Sequence, residues 1–146
     1  MTPIEIALAE ARAAAARGEV PVGAVVLGRG GVLLARAGNE VEARHDASAH
    51  AELLALRAAA ALRGEARLSD CELISTLEPC AMCAQAASLF RVRRVVFGAY
   101  DPKGGGIEHG ARVFDAASCS HRPEVVGGLR EAEAGELLRA FFAARR

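Results

Sequence analysis

The chain has no tryptophan, one tyrosine and five phenylalanines, an aromatic content of 4% in 146 residues. Proteins that read several unpaired bases side by side stack them on aromatic faces, so the scarcity of aromatics argues against a surface of that kind. Alanine, valine and leucine must fill the core instead. An excess of charge of either sign is also missing: eighteen Lys plus Arg balance eighteen Asp plus Glu, and 52% of residues are hydrophobic. That excludes a disordered polyelectrolyte and a histone-like basic binder. No run approaches the roughly 18 uncharged apolar residues that span a bilayer, and Met1 leads into Thr2-Pro3-Ile4-Glu5 with no basic start or apolar segment. The expectation is a soluble cytoplasmic protein with no membrane association. Length and the lack of any repeat or linker fit one domain over residues 1–146.

What is present alternates between helical and extended patterns. Thr2-Pro3-Ile4-Glu5 supplies an N-cap, a proline at the first helical position and a reciprocating Glu, which predicts a helix over about 3–17 that ends at Gly18. Val20 to Leu27, the turn Arg29-Gly30-Gly31 and Val32 to Ala37 predict a hairpin. Asn39 to Ser48 is polar and irregular. Ala49 to Arg63 predicts a second helix, capped by Ser48 and stopped at Gly64. Cys71 to Leu77 reads as a third strand, Pro79 as a helix start with the helix running to about Phe90, and Arg93 to Ala99 as a fourth strand. A strand, helix, strand order implies a parallel crossover, so the sheet is mixed. Residues 101–121 read as loop, Pro123 to Gly128 as a short edge strand, and Glu131 to Arg145 as a helix docking Leu137, Leu138, Phe141 and Phe142 on the sheet.

Two short motifs carry chemistry. Cys80 and Cys83 are three apart in Pro79-Cys80-Ala81-Met82-Cys83, so both lie on one side of a first helical turn, where the positive helix end favours thiolates. Adding His50 gives three ligands of the type zinc takes and leaves one tetrahedral position for water. Glu52 follows His50 by two residues, about 200° around a continuing helix. Near the helix end the two flank an ion, and Glu52 is suited to move protons as general acid/base rather than to bind metal. These roles are those of hydrolytic deamination, in which water replaces an amine on an amidine-type carbon. Two blander readings compete. A thioredoxin-like redox Cys-x-x-Cys belongs just after a first strand and leaves His50 and Glu52 unexplained. A closed structural zinc site needs a fourth ligand from Cys71, Cys119, His45, His109 or His121. Cys71, opening an apolar strand, reads as core. Cys119 reads as packing or rim.

These residues resemble the cytidine/deoxycytidylate deaminase superfamily, and more closely its branch of bacterial tRNA-specific adenosine deaminases. The general H-x-E and P-C-x-x-C signature of zinc deaminases is met by His50-Ala51-Glu52 and Pro79-Cys80-Ala81-Met82-Cys83. The likeness extends through Glu19-Val20-Pro21-Val22-Gly23-Ala24-Val25, Asn39, His45-Asp46, Leu77-Glu78, Val95-Val96-Phe97-Gly98-Ala99, Asp101-Pro102-Lys103-Gly104-Gly105, His121-Arg122, and the closing Phe141-Phe142 with Arg145-Arg146. The resemblance implies a three-layer α/β/α cytidine-deaminase-like fold with a five-stranded mixed sheet, and a homodimer. It implies one Zn²⁺ per subunit held by His50, Cys80 and Cys83, proton transfer by Glu52, and no organic cofactor. Asn39 and the backbone N–H of Ala51 would hold the reacting base, and Asp101 and Lys103 the flanking nucleotides. The implied substrate is the wobble adenosine of a tRNA anticodon stem-loop, that of an arginine tRNA, converted to inosine. A deaminase of a free base or nucleoside such as guanine or cytosine, and a non-catalytic zinc-containing RNA-binding module, are the alternatives.

Overall fold

A computed structural model describes residues 1–145. Five helices and five strands alternate: α1 Pro3–Ala16, β1 Gly23–Leu27, β2 Leu33–Gly38, α2 Val41–Arg44, α3 Ala51–Arg63, β3 Glu72–Leu77, α4 Ala81–Leu89, β4 Arg94–Ala99, β5 Glu124–Val126 and α5 Glu131–Ala143. Short 3-10 turns at Arg29–Gly31 and Val113–Asp115 complete the chain. The strands form one mixed sheet in the order β2-β1-β3-β4-β5. β1 is antiparallel to β2 and β3, while β3, β4 and β5 are parallel. Parallel neighbours cannot be joined by a hairpin, and α4 makes the crossover from β3 to β4. One face of the sheet packs Val26, Leu73, Val95 and Phe97 against Leu56 of α3 and Ala87 of α4; the other packs Val25, Ile74 and Val96 beside Leu8 of α1 and Ala134 of α5. This is the expected three-layer α/β/α fold.

Small side chains account for how a core so poor in aromatics closes. α1 turns Ala7, Ala11 and Ala14, all fully buried, toward the sheet. Its backbone then approaches β1 so closely that a Cβ on Gly23 would fall inside the Ala7 carbonyl oxygen. Thr2 and Glu5 cap α1 reciprocally, as their spacing predicts.

Two helix starts, one additional helix and one side chain depart from the sequence reading. The N-cap of α3 is His50, not Ser48, whose hydroxyl and N–H both go to Asp46 Oδ1, at 2.7 and 2.9 Å. The N-cap of α4 is Cys80, and Pro79 precedes the helix because its carbonyl accepts Gly106 N–H at 2.8 Å. The irregular stretch contains α2, whose exposed Glu42 and Ala43 amides are capped by the distant Glu19 carboxylate at 3.0 and 2.9 Å. On α5, Phe141 is buried, but Phe142 is 47% exposed and does not dock. Arg146, part of the expected basic end, lies outside the described residues.

Candidate active site

Every group of interest sits at one end of the sheet. β3 and β4 run toward it and end at Leu77 and Ala99; β2 also ends there, at Gly38, and antiparallel β1 starts there. Ligands in open α/β sheets bind outside the carboxyl ends of the parallel strands. Helices α3 and α4 both point their N-termini at this end, and neither N-cap side chain caps its own helix. His50 and Cys80 turn toward each other instead: His50 Nδ1 lies 3.5 Å from Cys80 Sγ and 3.8 Å from Cys83 Sγ. Two positive helix ends thus converge on two thiols and an imidazole, an arrangement that favours thiolates, and it is the thiolates that can hold a cation there.

The donor set fits zinc. The His50, Cys80 and Cys83 ligand atoms lie within 4.8 Å of one another. Tetrahedral zinc with sulfur at about 2.3 Å and nitrogen at about 2.0 Å separates a nitrogen and a sulfur ligand by about 3.5 Å, which the His50 distances match. Among the described residues no fourth His, Cys, Asp or Glu joins the group. Cys71 is fully buried in the core, beside Arg63 and Asp70. Cys119 donates to the His121 carbonyl at 3.1 Å and packs against Ser88 of α4. His109 is held by Glu78. The closed structural site finds no support.

Electrostatics match this assignment. The hydrogen bond from Cys83 holds the Cys80 thiol down, to about 4, against the opposing effect of burial. The same contact, with burial, pushes the Cys83 thiol up, so without a cation the pair keeps one proton; a metal held by both removes it. The hydrogen bond with Cys80 raises His50. Glu52, in the first turn of α3, is 4% exposed, and burial pushes its carboxyl up to about 7, where it can both take and give a proton at neutral pH.

A cavity of about 590 Å³ opens over these groups, within the size range of small-ligand sites. Asn39, His50, Glu52, Cys80 and Asp101 all line it, while Cys83 is buried behind. The Ala51 N–H, which the resemblance aims at the substrate, donates to Asn39 Oδ1 at 2.8 Å. That bond fixes the amide, so the Asn39 NH₂ group faces away and reaches solvent at the cavity. Asp101 Oδ1 accepts the Lys103 and Gly104 amides at 3.2 and 2.9 Å, folding its own turn. Lys103 is exposed on that turn and is not among the cavity-lining residues.

Sequence reasoning assigned no role to two buried carboxylates. Glu19 lines the cavity and caps α2 across 23 and 24 residues. Glu78, 1% exposed, gathers the loop after β4. Each is a charged residue beside an apolar run, within a segment that carries the family likeness, and that was the signal available.

A mixed sheet that presents a His-Cys-Cys donor set with a buried carboxylate beside it defines the class of zinc-binding deaminases. The family model for the cytidine and deoxycytidylate deaminase zinc-binding region matches residues 2–99, and the chain belongs to that family. Among individual proteins, it is 48% identical over 143 residues to the tRNA-specific adenosine deaminase of Agrobacterium fabrum, covering 98% of this chain and 93% of that one. A solved structure from work on A-to-I editing by tRNA:A34 deaminases at the wobble position is 47% identical, with TM-score 0.91, covering 93% of this chain and 98% of the other. The guanine deaminase of Nitrosomonas europaea is 29% identical with TM-score 0.84, covering 97% and 83%.

Proposed function

We propose that this chain is a zinc-dependent deaminase, acting as one domain, that converts the wobble adenosine, position 34, of a tRNA anticodon to inosine. Further, we propose an arginine tRNA as substrate, one Zn²⁺ per subunit, a homodimeric assembly and a cytoplasmic location. The convergence of His50, Cys80, Glu52 and Asn39 on one cavity supports the reading most. The tRNA substrate rests on relatives at 47% and 48% identity, against 29% for the guanine deaminase.

The reaction forms one C–O bond and breaks one C–N bond, exchanging the exocyclic amine of adenine for the oxygen of water and releasing ammonia. When bound, zinc supplies a Lewis-acid centre that makes water nucleophilic near neutral pH. Glu52, whose carboxyl burial biases toward holding a proton, accepts one proton of the attacking water and hands it to the ring nitrogen, then takes the proton of the newly attached hydroxyl and delivers it to the leaving amine, so that the carbonyl forms as ammonia departs. The Asn39 NH₂ group donates to an acceptor nitrogen of the base, and Ala51 N–H holds it in that orientation. Asp101 and Lys103 meet the flanking nucleotides at the rim, where Arg145 lies over the Phe141 ring.

Comparing an anticodon stem-loop carrying adenosine at the wobble position with free guanine, cytosine and adenosine tests this substrate assignment. Inosine in the stem-loop with inert free bases is the expected result. Turnover of a free base beside an inert stem-loop would overturn it. No membrane-crossing helix is present among the described residues.

A further inference from the structure

One wall of the cavity is a segment without regular secondary structure, whose own amide hydrogen bonds are few: the Asp101 turn, Gly105 N–H to the Asp101 carbonyl and Gly106 N–H to the Pro79 carbonyl. Asp101 and Gly104 line the cavity, yet Pro102, Lys103 and Gly104 are exposed, and three consecutive glycines, Gly104 to Gly106, are costly to order. The largest single set of ties comes from Glu78, whose carboxylate is fully enclosed. Glu78 Oε1 accepts Asp101 N–H at 3.0 Å and faces His109 Nδ1 at 2.8 Å. Oε2 accepts three successive amides, Ile107, Glu108 and His109, at 3.2, 2.9 and 3.0 Å. The loop closes so tightly on the carboxylate that a Cβ on Gly105 would sit 2.5 Å from Oε2. Glu78 also lies between the end of β3 and Cys80, so the turn that aims a thiol at the metal site aims this carboxylate at the cavity wall.

We propose that Glu78 is a positioning residue for the deamination, tying residues 101–109 into the wall against which the substrate seats. It touches no reacting atom; it acts through the place it gives Asp101 and the Gly104 backbone. The proposal takes its substrate from the function proposed above, but the tie itself does not depend on it.

Amide hydrogen exchange, zinc content and steady-state kinetics on the stem-loop, measured for wild type, Glu78→Gln, Glu78→Asp and His109→Ala, test it. His109→Ala removes one of the five contacts and should have the smaller effect; Glu78→Asp, which draws the carboxylate back from all five, decides the matter if Glu78→Gln does not fold. The expected result is faster exchange confined to 101–109 and unchanged zinc. KM should rise about tenfold, with kcat changing far less, as lost positioning around a site predicts. A residue serving stability alone would lower the unfolding midpoint and leave KM unmoved. In the Glu78 variants, unchanged exchange in 101–109, or faster exchange with unchanged KM, overturns the proposal. If wild type leaves the stem-loop inert, the substrate assignment fails, and exchange alone then supports or overturns the tie.

Discussion

Glu52 is the residue on which the chemistry turns, and its environment makes a prediction independent of any substrate. Its folded pKa is raised by burial from 4.5 to about 7. A carboxyl raised in this way costs the folded state nothing below its unfolded pKa. As pH climbs from about 4.5 to about 7, the unfolded state ionises first and stability is lost. In protein stripped of metal, Glu52→Gln should therefore raise the unfolding free energy by roughly 3 kcal/mol at pH 8 and leave it unchanged at pH 4, measured by denaturant unfolding. An equal effect at both pH values would contradict the assigned environment. His50, Cys80, Cys83 and Glu52 were legible in the sequence because the metal motifs are short and each opens a helix. Glu19 and Glu78 were not, because each has backbone partners 23 or more residues away. Ala51 was legible as a position but not as a partner of Asn39, which depends on how a turn after β2 meets the start of α3.

Elements are set by who caps whom. Ser48 reads as the cap of α3 on local spacing, but Asp46 captures it, and His50 takes the N-cap position with its ring free for the site. For α2, the cap comes from Glu19 across the fold, so no local window shows it. Glu19→Ala should cost about 1–2 kcal/mol of stability and quicken exchange at the Glu42 and Ala43 amides; an unchanged unfolding midpoint would show that α2 does not need this cap. Glycines divide in the same way. Gly23→Ala drives a methyl into the α1 backbone and should destabilise the protein by about 3 kcal/mol or more. Gly135→Ala, inside α5 where only the flexible Arg139 side chain lies near, should stabilise it by about 0.5–1 kcal/mol. Thermal melts of the two variants read both signs.

Across the whole molecule, the neutral total conceals an asymmetry. Residues 1–90 carry eight basic and eleven acidic groups, a net −3; residues 91–146 carry ten and seven, a net +3. The second portion supplies Asp101, Lys103 and Arg145, the residues proposed to lie near RNA. Few aromatics and modest charge suit a protein that takes in one base of a structured loop, so its affinity for RNA should fall only shallowly with salt, with a logarithmic slope of about 2–3 in magnitude. A slope like that of a strongly basic binder would contradict this picture. The layer order and mixed sheet were legible because the helical and extended segments alternate cleanly. The cavity was not, since its walls come from segments as far apart as Gly18 and Arg145. Acidification protonates His50 and both thiolates, so zinc content and activity should fall together as pH drops; full activity after complete chelation would refute metal dependence.

The most direct measurement is inosine formation on a synthetic stem-loop with adenosine at the wobble position, by wild type and Glu52→Ala loaded with equal zinc. Wild type should form inosine, and Glu52→Ala should lose about 10³-fold or more of that rate at unchanged zinc content. Equal rates from the two proteins would contradict it.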